Sequence, residues 1–313
     1  MINEILYPPI EPYRTGFLPV GDDHQLFWEE CGNPEGVPIL FLHGGPGYSC
    51  TEDHRRFFDP DHYRIILFDQ RGAGKSTPHA SIKNNQTKDL IDDIEKLRIF
   101  FKVDSWILFG GSWGSTLALC YGIDYPNRIK AFILRGVFLG EHDETEWFFT
   151  GMGKFNPEAG IDFMSFLPEK ERDNYLENFY NRLKNTDPKI HLPAALAWHN
   201  YENRCVSLVP VSKIDKSSSD YLAPALIEAH YFYNDFFIKD APILENLDQI
   251  KDIPTIIVHG RYDIVCPPIT AYKLKQRMTN SKLIFADDSG HSAFEAGLAK
   301  ELVIATNEFR SIR

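Results

Sequence analysis

The residues most able to do chemistry begin with a pentapeptide, Gly110-Gly111-Ser112-Trp113-Gly114. It follows an apolar run, Trp106–Phe109, and precedes a helix-prone stretch, Ser115–Tyr121. A Gly-x-Ser-x-Gly sequence between a strand and a helix makes a sharp turn that lifts the serine hydroxyl clear of a sheet. The glycines permit the turn, and the helix aims its first N–H groups at the reacting atom. Serine alone is a weak nucleophile and needs a base that is itself oriented by an acid. In sites of this kind the chain order is Ser, then Asp or Glu, then His, each past the end of a strand. Asp263 follows the apolar run Thr255–Val258, and His291 follows Lys282–Phe285. Of the eleven histidines, only His291 comes after the last of these runs. Asp287 and Asp288 share the histidine's own loop, so Asp263 is the expected acid.

Acyl transfer also needs two N–H groups aimed at the oxygen that becomes negative. One is expected from Trp113, the residue after the nucleophile. The other is expected from His43-Gly44-Gly45-Pro46-Gly47, after the run Pro38–Leu42, where three glycines in five residues allow close backbone approach. Gly45 is the expected donor, with Gly44 second, and His43 is expected to hold the loop. Gly72-Ala73-Gly74-Lys75-Ser76 looks like the end of a phosphate-binding loop, but that pattern needs glycine where Asp69 stands, and Pro78 follows. Nucleotide binding is rejected.

The elements that must carry these residues are legible as short runs without polar alternation. They are Pro38–Leu42, Arg64–Phe68, Trp106–Phe109, Ala131–Leu134, Thr255–Val258 and Lys282–Phe285. Runs of this kind suit strands buried on both faces, as in a mostly parallel sheet. Between them lie helical patterns. Thr87 is placed to cap a helix whose apolar face is Leu90, Ile91, Ile94, Leu97 and Phe101, and a last helix is expected near Ala296 to Arg310. The strand rhythm stops after Leu139 and resumes near Ile253, and the gap is rich in aromatics at helical spacing. The expected architecture is therefore an α/β catalytic domain of residues 1–140 and 241–313, with residues 141–240 inserted as a helical cap domain.

Composition narrows the classes further. Lys and Arg number 33 against 44 Asp and Glu, for a net charge of −11. That disfavours nucleic acid and anionic membranes, which select a basic face. No stretch reaches the roughly 18 consecutive apolar residues of a membrane helix. Met1 to Arg14 carries Glu4, Glu11 and three prolines, unlike a secretory signal, so the cytoplasm is the expected compartment. Five scattered cysteines without a Cys-x-x-Cys pair suggest neither a disulfide framework nor zinc. No metal and no cofactor is expected, and nothing in the chain sets an oligomeric state.

Taken together, HGGPG at His43–Gly47, Asp69-Gln70-Arg71-Gly72 in FDQRGAGKSTPH, and Gly110–Ser115 followed by the Asp263 and His291 sequences resemble the proline iminopeptidase (prolyl aminopeptidase) family. The likeness spans nearly the whole chain. It implies the α/β-hydrolase fold, with a mostly parallel central sheet flanked by helices and a helical cap. It also implies a serine exopeptidase whose substrates are peptides with a free N-terminal proline. In that family two cap glutamates hold the substrate's imino group, and the matching positions are Glu202 in AWHNYENR and Glu228 in LIEAHYFYNDF. Two carboxylates suit a protonated chain end and exclude a blocked one. The resemblance also implies a ring pocket lined by Phe138, Phe148 and Phe232, with Cys266 at its edge. Tyr48 stands where the family often has glycine, Lys75 where arginine is common, and NYENR departs from the usual tryptophan-glutamate pair. A broader aminopeptidase, amidase or esterase on the same fold is the alternative, followed by a ligand-binding homologue with little turnover.

Overall fold

The computed structural model describes residues 2–216, 218–239 and 242–312. A short helix α1 (Ile2–Ile5) leads into a hairpin of β1 (Arg14–Gly21) and β2 (His24–Gly32). Next come β3 (Val37–Leu42), β4 (Tyr63–Phe68), α2 (Thr87–Phe100), β5 (Trp106–Gly111), α3 (Trp113–Asp124) and β6 (Ile129–Arg135). Five helices follow: α4 (His142–Thr150), α5 (Pro157–Phe166), α6 (Tyr175–Leu183), α7 (Pro188–Asn203) and α8 (Leu222–Tyr233). The chain returns through β7 (Thr255–Gly260), α9 (Pro268–Arg277), β8 (Ser281–Ala286) and α10 (Ala296–Glu308).

The eight strands form one sheet in the order β1-β2-β4-β3-β5-β6-β7-β8. The pairs β1–β2 and β2–β4 are antiparallel, and every pair from β4–β3 to β7–β8 is parallel. All six apolar runs are strands, each lengthened by a residue or more except at some edges. Alternate residues feed opposite faces: Leu40, Leu42, Ile66, Phe68 and Leu108 pack with α2 and α3. Ile39, Phe41, Ile65, Leu67 and Ile107 pack with α10 through Leu298, Leu302 and Ala305. Burial on both faces is why these strands show no polar alternation.

The expected face of α2 is buried. Thr87 is not its cap, however. The helix starts at Thr87 after Gln86, the Asp89 carboxylate accepts from the Gln86 N–H, and the Thr87 hydroxyl donates to the Phe236 carbonyl. A partner in the segment after α8 outcompeted the local cap. The hairpin β1–β2 lies outside the six runs. β1 is an exposed edge strand, and β2 buries Glu29 and Glu30, which Arg55 and Arg64 neutralise.

Among the described residues no strand interrupts the segment between β6 and β7. Its helices bury aromatic rings in stacks such as Phe163 on Phe179, with centroids 4.4 Å apart, and Phe148 on Trp198, at 5.3 Å. This packing is continuous with the core on the α2–α3 side of the sheet. The expected boundary at 240 and 241 lies outside the described residues. Among the described residues no helix is long and apolar enough to cross a membrane.

Candidate active site

The parallel strands bring their carboxyl ends to one edge of the sheet, and the candidate residues stand in the loops there. Ser112 sits between β5 and α3 with φ 57° and ψ −127°, a conformation that an L-residue adopts only under surrounding constraint. Its N–H donates to the Arg135 carbonyl at 2.9 Å, and its carbonyl accepts from the Ser115 hydroxyl at 2.6 Å. The first N–H of α3 belongs to Trp113, and the first N–H groups of a helix lack intrahelical acceptors.

His291 Nδ1 and Asp263 Oδ2 are 2.7 Å apart. The other carboxylate oxygen, Oδ1, accepts from the N–H groups of Val265 at 3.0 Å and Cys266 at 2.8 Å. Burial alone raises the pKa of Asp263. His291, then His259 and the Cys266 N–H, outweigh it, and the carboxyl is held below its ordinary range. An ionised Asp263 fixes the proton of His291 on Nδ1 and leaves the Nε2 lone pair available. Gly136, at φ 52°, backs this pair: a Cβ there would lie 2.9 Å from His291 Cε1. The inserted segment braces the histidine as well, because the Val206 carbonyl accepts from the N–H groups of His291 and Ser292 at 2.9 and 2.8 Å.

Nε2 of His291 accepts from Arg135 Nη1 at 3.0 Å. Ser112 and Cys266 line the same inner cavity. Serine and histidine thus face the same space, with the histidine's Nε2 turned to Arg135. Arg135, Gln70 and Tyr48 are neighbours of the site to which the sequence assigns no task. A cation directly after the apolar run Ala131–Leu134 was the available signal for Arg135.

Gln70 explains why the loop after β3 is linked to the Asp69–Gly72 motif. Its N–H donates to His43 Nε2 at 2.9 Å, its side-chain amide donates to the His43 carbonyl at 3.0 Å, and its Oε1 accepts from Trp113 Nε1 at 2.9 Å. His43 therefore holds the loop, as expected, with Nδ1 on the Gly44 carbonyl at 2.8 Å. Burial keeps its pKa below the ordinary value. Arg71 anchors the motif from below through two bonds to Asp93 of 2.6 and 2.8 Å.

Two cavities meet at Ser112. The inner one is lined by Gly45, Ser112, Phe138, Phe148, Phe232 and Cys266, with both Glu202 and Glu228. Glu144, Phe236 and Val265 complete it, three positions the sequence did not single out. Its volume is about 20 Å³, room for a single water. The outer cavity, about 410 Å³, runs past Gly45, Tyr48, Arg135 and His291 toward Phe41, His54 and Phe294.

Glu202 comes from α7 and Glu228 from α8, and the two buried carboxyl groups share the inner cavity and act on each other electrostatically. Tyr48 Oη donates to Glu202 at 2.7 Å, and Trp198 Nε1 donates to Glu228 at 2.5 Å. Burial pushes both carboxyl groups above the usual range, and the charge of Glu202 pushes Glu228 further. Such a pair retains a proton until a cation arrives. Burial also raises Glu144 to about 7. Its carboxylate accepts from the N–H groups of Leu139 at 3.1 Å and Glu141 at 2.9 Å, so it serves the start of α4. Cys266 is 3% exposed, and burial followed by the charge of Asp263 holds its thiol well above the ordinary value.

The chain is similar to known proteins along most of its length. The family model described as the alpha/beta hydrolase fold matches residues 37–298. A proline iminopeptidase of Arabidopsis thaliana is 46% identical over 98% of this chain and 82% of that protein. The chain belongs to the proline iminopeptidase family of α/β hydrolases. A probable proline iminopeptidase of Leptolyngbya boryana is 47% identical over 97% of this chain and 96% of its own length. For the proline iminopeptidase of Neisseria gonorrhoeae the identity is 40%, over 97% of this chain and 98% of that protein. Among solved structures, a proline iminopeptidase from Mycobacterium smegmatis superimposes with a TM-score of 0.60 at 18% identity, covering 95% of this chain and 97% of that one. An esterase from Exiguobacterium antarcticum gives 0.60 at 20% identity, over 95% and 99%. These two share the fold.

Proposed function

We propose that the chain is a cytoplasmic serine aminopeptidase that releases proline from the N-terminus of peptides, with residues 141–240 acting as the cap domain that reads the chain end. The observation that carries this is the sharing of one small aromatic cavity by the Ser112 hydroxyl and the paired carboxyls of Glu202 and Glu228. A buried pair of carboxyls beside a nucleophile is matched by a substrate that brings its own positive charge, and an N-terminal amine is cationic below about pH 8. The distance from amine to scissile carbonyl is then one residue, which makes the enzyme an exopeptidase.

In the reaction Ser112 Oγ attacks the proline carbonyl while His291 Nε2 takes its proton. Asp263 orients the imidazole and stabilises its charge. The N–H groups of Gly45 and Trp113 hold the tetrahedral oxyanion. His291 then protonates the leaving nitrogen, the C–N bond breaks, and the remaining peptide departs with a new amine. Water, deprotonated by His291, attacks the acyl-enzyme and returns proline and free Ser112. Phe138, Phe148 and Phe232 close on the ring, with Cys266 at the edge. A cavity so nearly filled admits the compact ring by an outward shift of its walls and disfavours longer side chains.

The test compares proline β-naphthylamide with its N-acetyl derivative, on wild type and Ser112→Ala. Turnover of the free amine alone, abolished in the variant, is the expected result. Equal rates on both substrates would remove Glu202 and Glu228 from recognition and favour an esterase or amidase. Undiminished turnover by the variant would remove Ser112 from the chemistry.

A further inference from the structure

Arg135, the last residue of β6, is a charged group that the reaction above leaves without a task. Arg135 lines the outer cavity together with Ser112 and His291, and that cavity is the larger of the two spaces that meet at Ser112. Nη1 donates to His291 Nε2 at 3.0 Å and to the His291 carbonyl at 3.1 Å. Nε is buried without a hydrogen-bond partner. The carboxylate that acts on it is Asp263, which is already bonded to His291 at 2.7 Å. A guanidinium held in this way lacks an anion of its own, and an unpaired buried cation is costly.

The sequence is shaped to keep it there. Gly111, directly before the nucleophile, is packed under the guanidinium: a Cβ at that position would lie 2.4 Å from Nη2 and 2.8 Å from Cζ. Any other residue would push Arg135 away from the end of β5. Gly111 therefore serves the arginine as well as the turn.

We propose that Arg135 recognises the free carboxylate of a short substrate, so that the substrates taken best are proline dipeptides. The inference rests on the proline-releasing reading and names its substrate class. In a dipeptide only one nitrogen and one Cα separate the scissile carbonyl from the terminal carboxyl carbon, a span of roughly 3–4 Å by standard bond lengths. The leaving nitrogen must come within reach of His291 Nε2, and Arg135 Nη1 is 3.0 Å from that atom. The carboxylate then falls within hydrogen-bond reach of the guanidinium. Each further residue carries it about 3.5 Å away. Recognition also acts on the base. A carboxylate that engages Nη1 draws it off Nε2, and the freed lone pair can take the Ser112 proton. The gain belongs to kcat as well as to KM.

The experiment measures kcat and KM for Pro-Ala, Pro-Ala amide and Pro-Ala-Ala-Ala, on wild type, Arg135→Lys and Arg135→Met. In wild type Pro-Ala is expected to exceed its amide in kcat/KM by about 10- to 100-fold, the size of a charge-assisted hydrogen bond. The tetrapeptide should fall near the amide. Arg135→Met should bring the ratio of acid to amide close to one, and Arg135→Lys should keep part of it. Each ratio compares two substrates on one preparation, so a partly folded variant does not disturb it. A wild-type ratio near one overturns the proposal. So does an Arg135→Met variant that loses rate equally on both substrates, since Arg135 would then only position His291. Absence of proline release from all three peptides by wild type would instead overturn the underlying reading.

Discussion

Tyr48 Oη donates a 2.7 Å hydrogen bond to Glu202 Oε2, so a residue of the loop after β3 reaches across to the carboxyl pair held by α7 and α8. A hydrogen bond donated to a carboxylate favours its charged form. Burial raises the pKa of Glu202, and Tyr48 is the first of the groups that oppose it. The phenol itself is pushed well upward by burial and by both glutamates, so it remains a donor. Tyr48→Phe should therefore raise the Glu202 pKa further. Protonated Glu202 cannot attract an ammonium, so the acid limb of kcat/KM should move to higher pH. KM at neutral pH should rise about tenfold, with kcat changed less. The measurement is the pH profile of proline β-naphthylamide hydrolysis, and an unmoved acid limb would exclude Tyr48 from the amine site.

Glu228→Gln separates stability from function. Burial, then the charge of Glu202, raises the Glu228 carboxyl well above its unfolded value. A carboxyl raised by folding contributes stability that is complete below its unfolded pKa and is lost as pH climbs through its folded pKa. The empty protein should thus lose stability from this pair between mildly acidic and alkaline pH. Glutamine keeps an oxygen for Trp198 Nε1 but does not titrate. At about pH 8 the variant should melt higher by around 2 °C, corresponding to a gain on the order of 1 kcal/mol for a chain of this size. Near pH 5 the difference should vanish, and kcat/KM for proline amides should fall about 100-fold. Equal melting at both pH values would mean that the pair does not carry the raised pKa.

The order of the chemical groups was legible in the sequence because each strand of a parallel sheet delivers its loop to the same edge. Ser112, Asp263 and His291 could be ordered by the apolar runs that precede them. The hairpin was not legible: its inner strand buries Glu29 and Glu30, whose arginine partners, Arg55 and Arg64, lie far along the chain. Thr87 shows the same limit, since its hydroxyl found a partner in the segment after α8. Arg135 reads as the polar end of a strand, and only the fold reveals that it reaches His291, 156 positions later. The aromatic gap after Leu139 announced helices. Which of its rings face Ser112 and which pack with one another depends on how those helices cross.

Gln70 ties together the two backbone donors on which the proposed oxyanion site depends. Its side chain bridges the His43 carbonyl, at 3.0 Å, and Trp113 Nε1, at 2.9 Å, so one amide links the glycine loop to the residue after the nucleophile. Gln70→Met is close in shape and leaves both partners buried and unpaired, which costs about 1–3 kcal/mol for each. The Gln70 N–H still supports His43 Nε2 at 2.9 Å, so the loop loosens without being lost. Misaimed donors cost transition-state stabilisation, so kcat should fall about tenfold or more. KM for proline amides should stay nearly constant, because Gln70 touches neither Glu202 nor Glu228. Gln70→Glu keeps the acceptor for Trp113 and loses the donor to His43. It also sets a negative charge near the developing oxyanion, so its kcat should fall below that of Gln70→Met. Circular dichroism and a fluorophosphonate active-site titration give the folded and competent fractions of each variant. A kcat that falls only in step with those fractions would make Gln70 a support of the fold with no hold on the oxyanion.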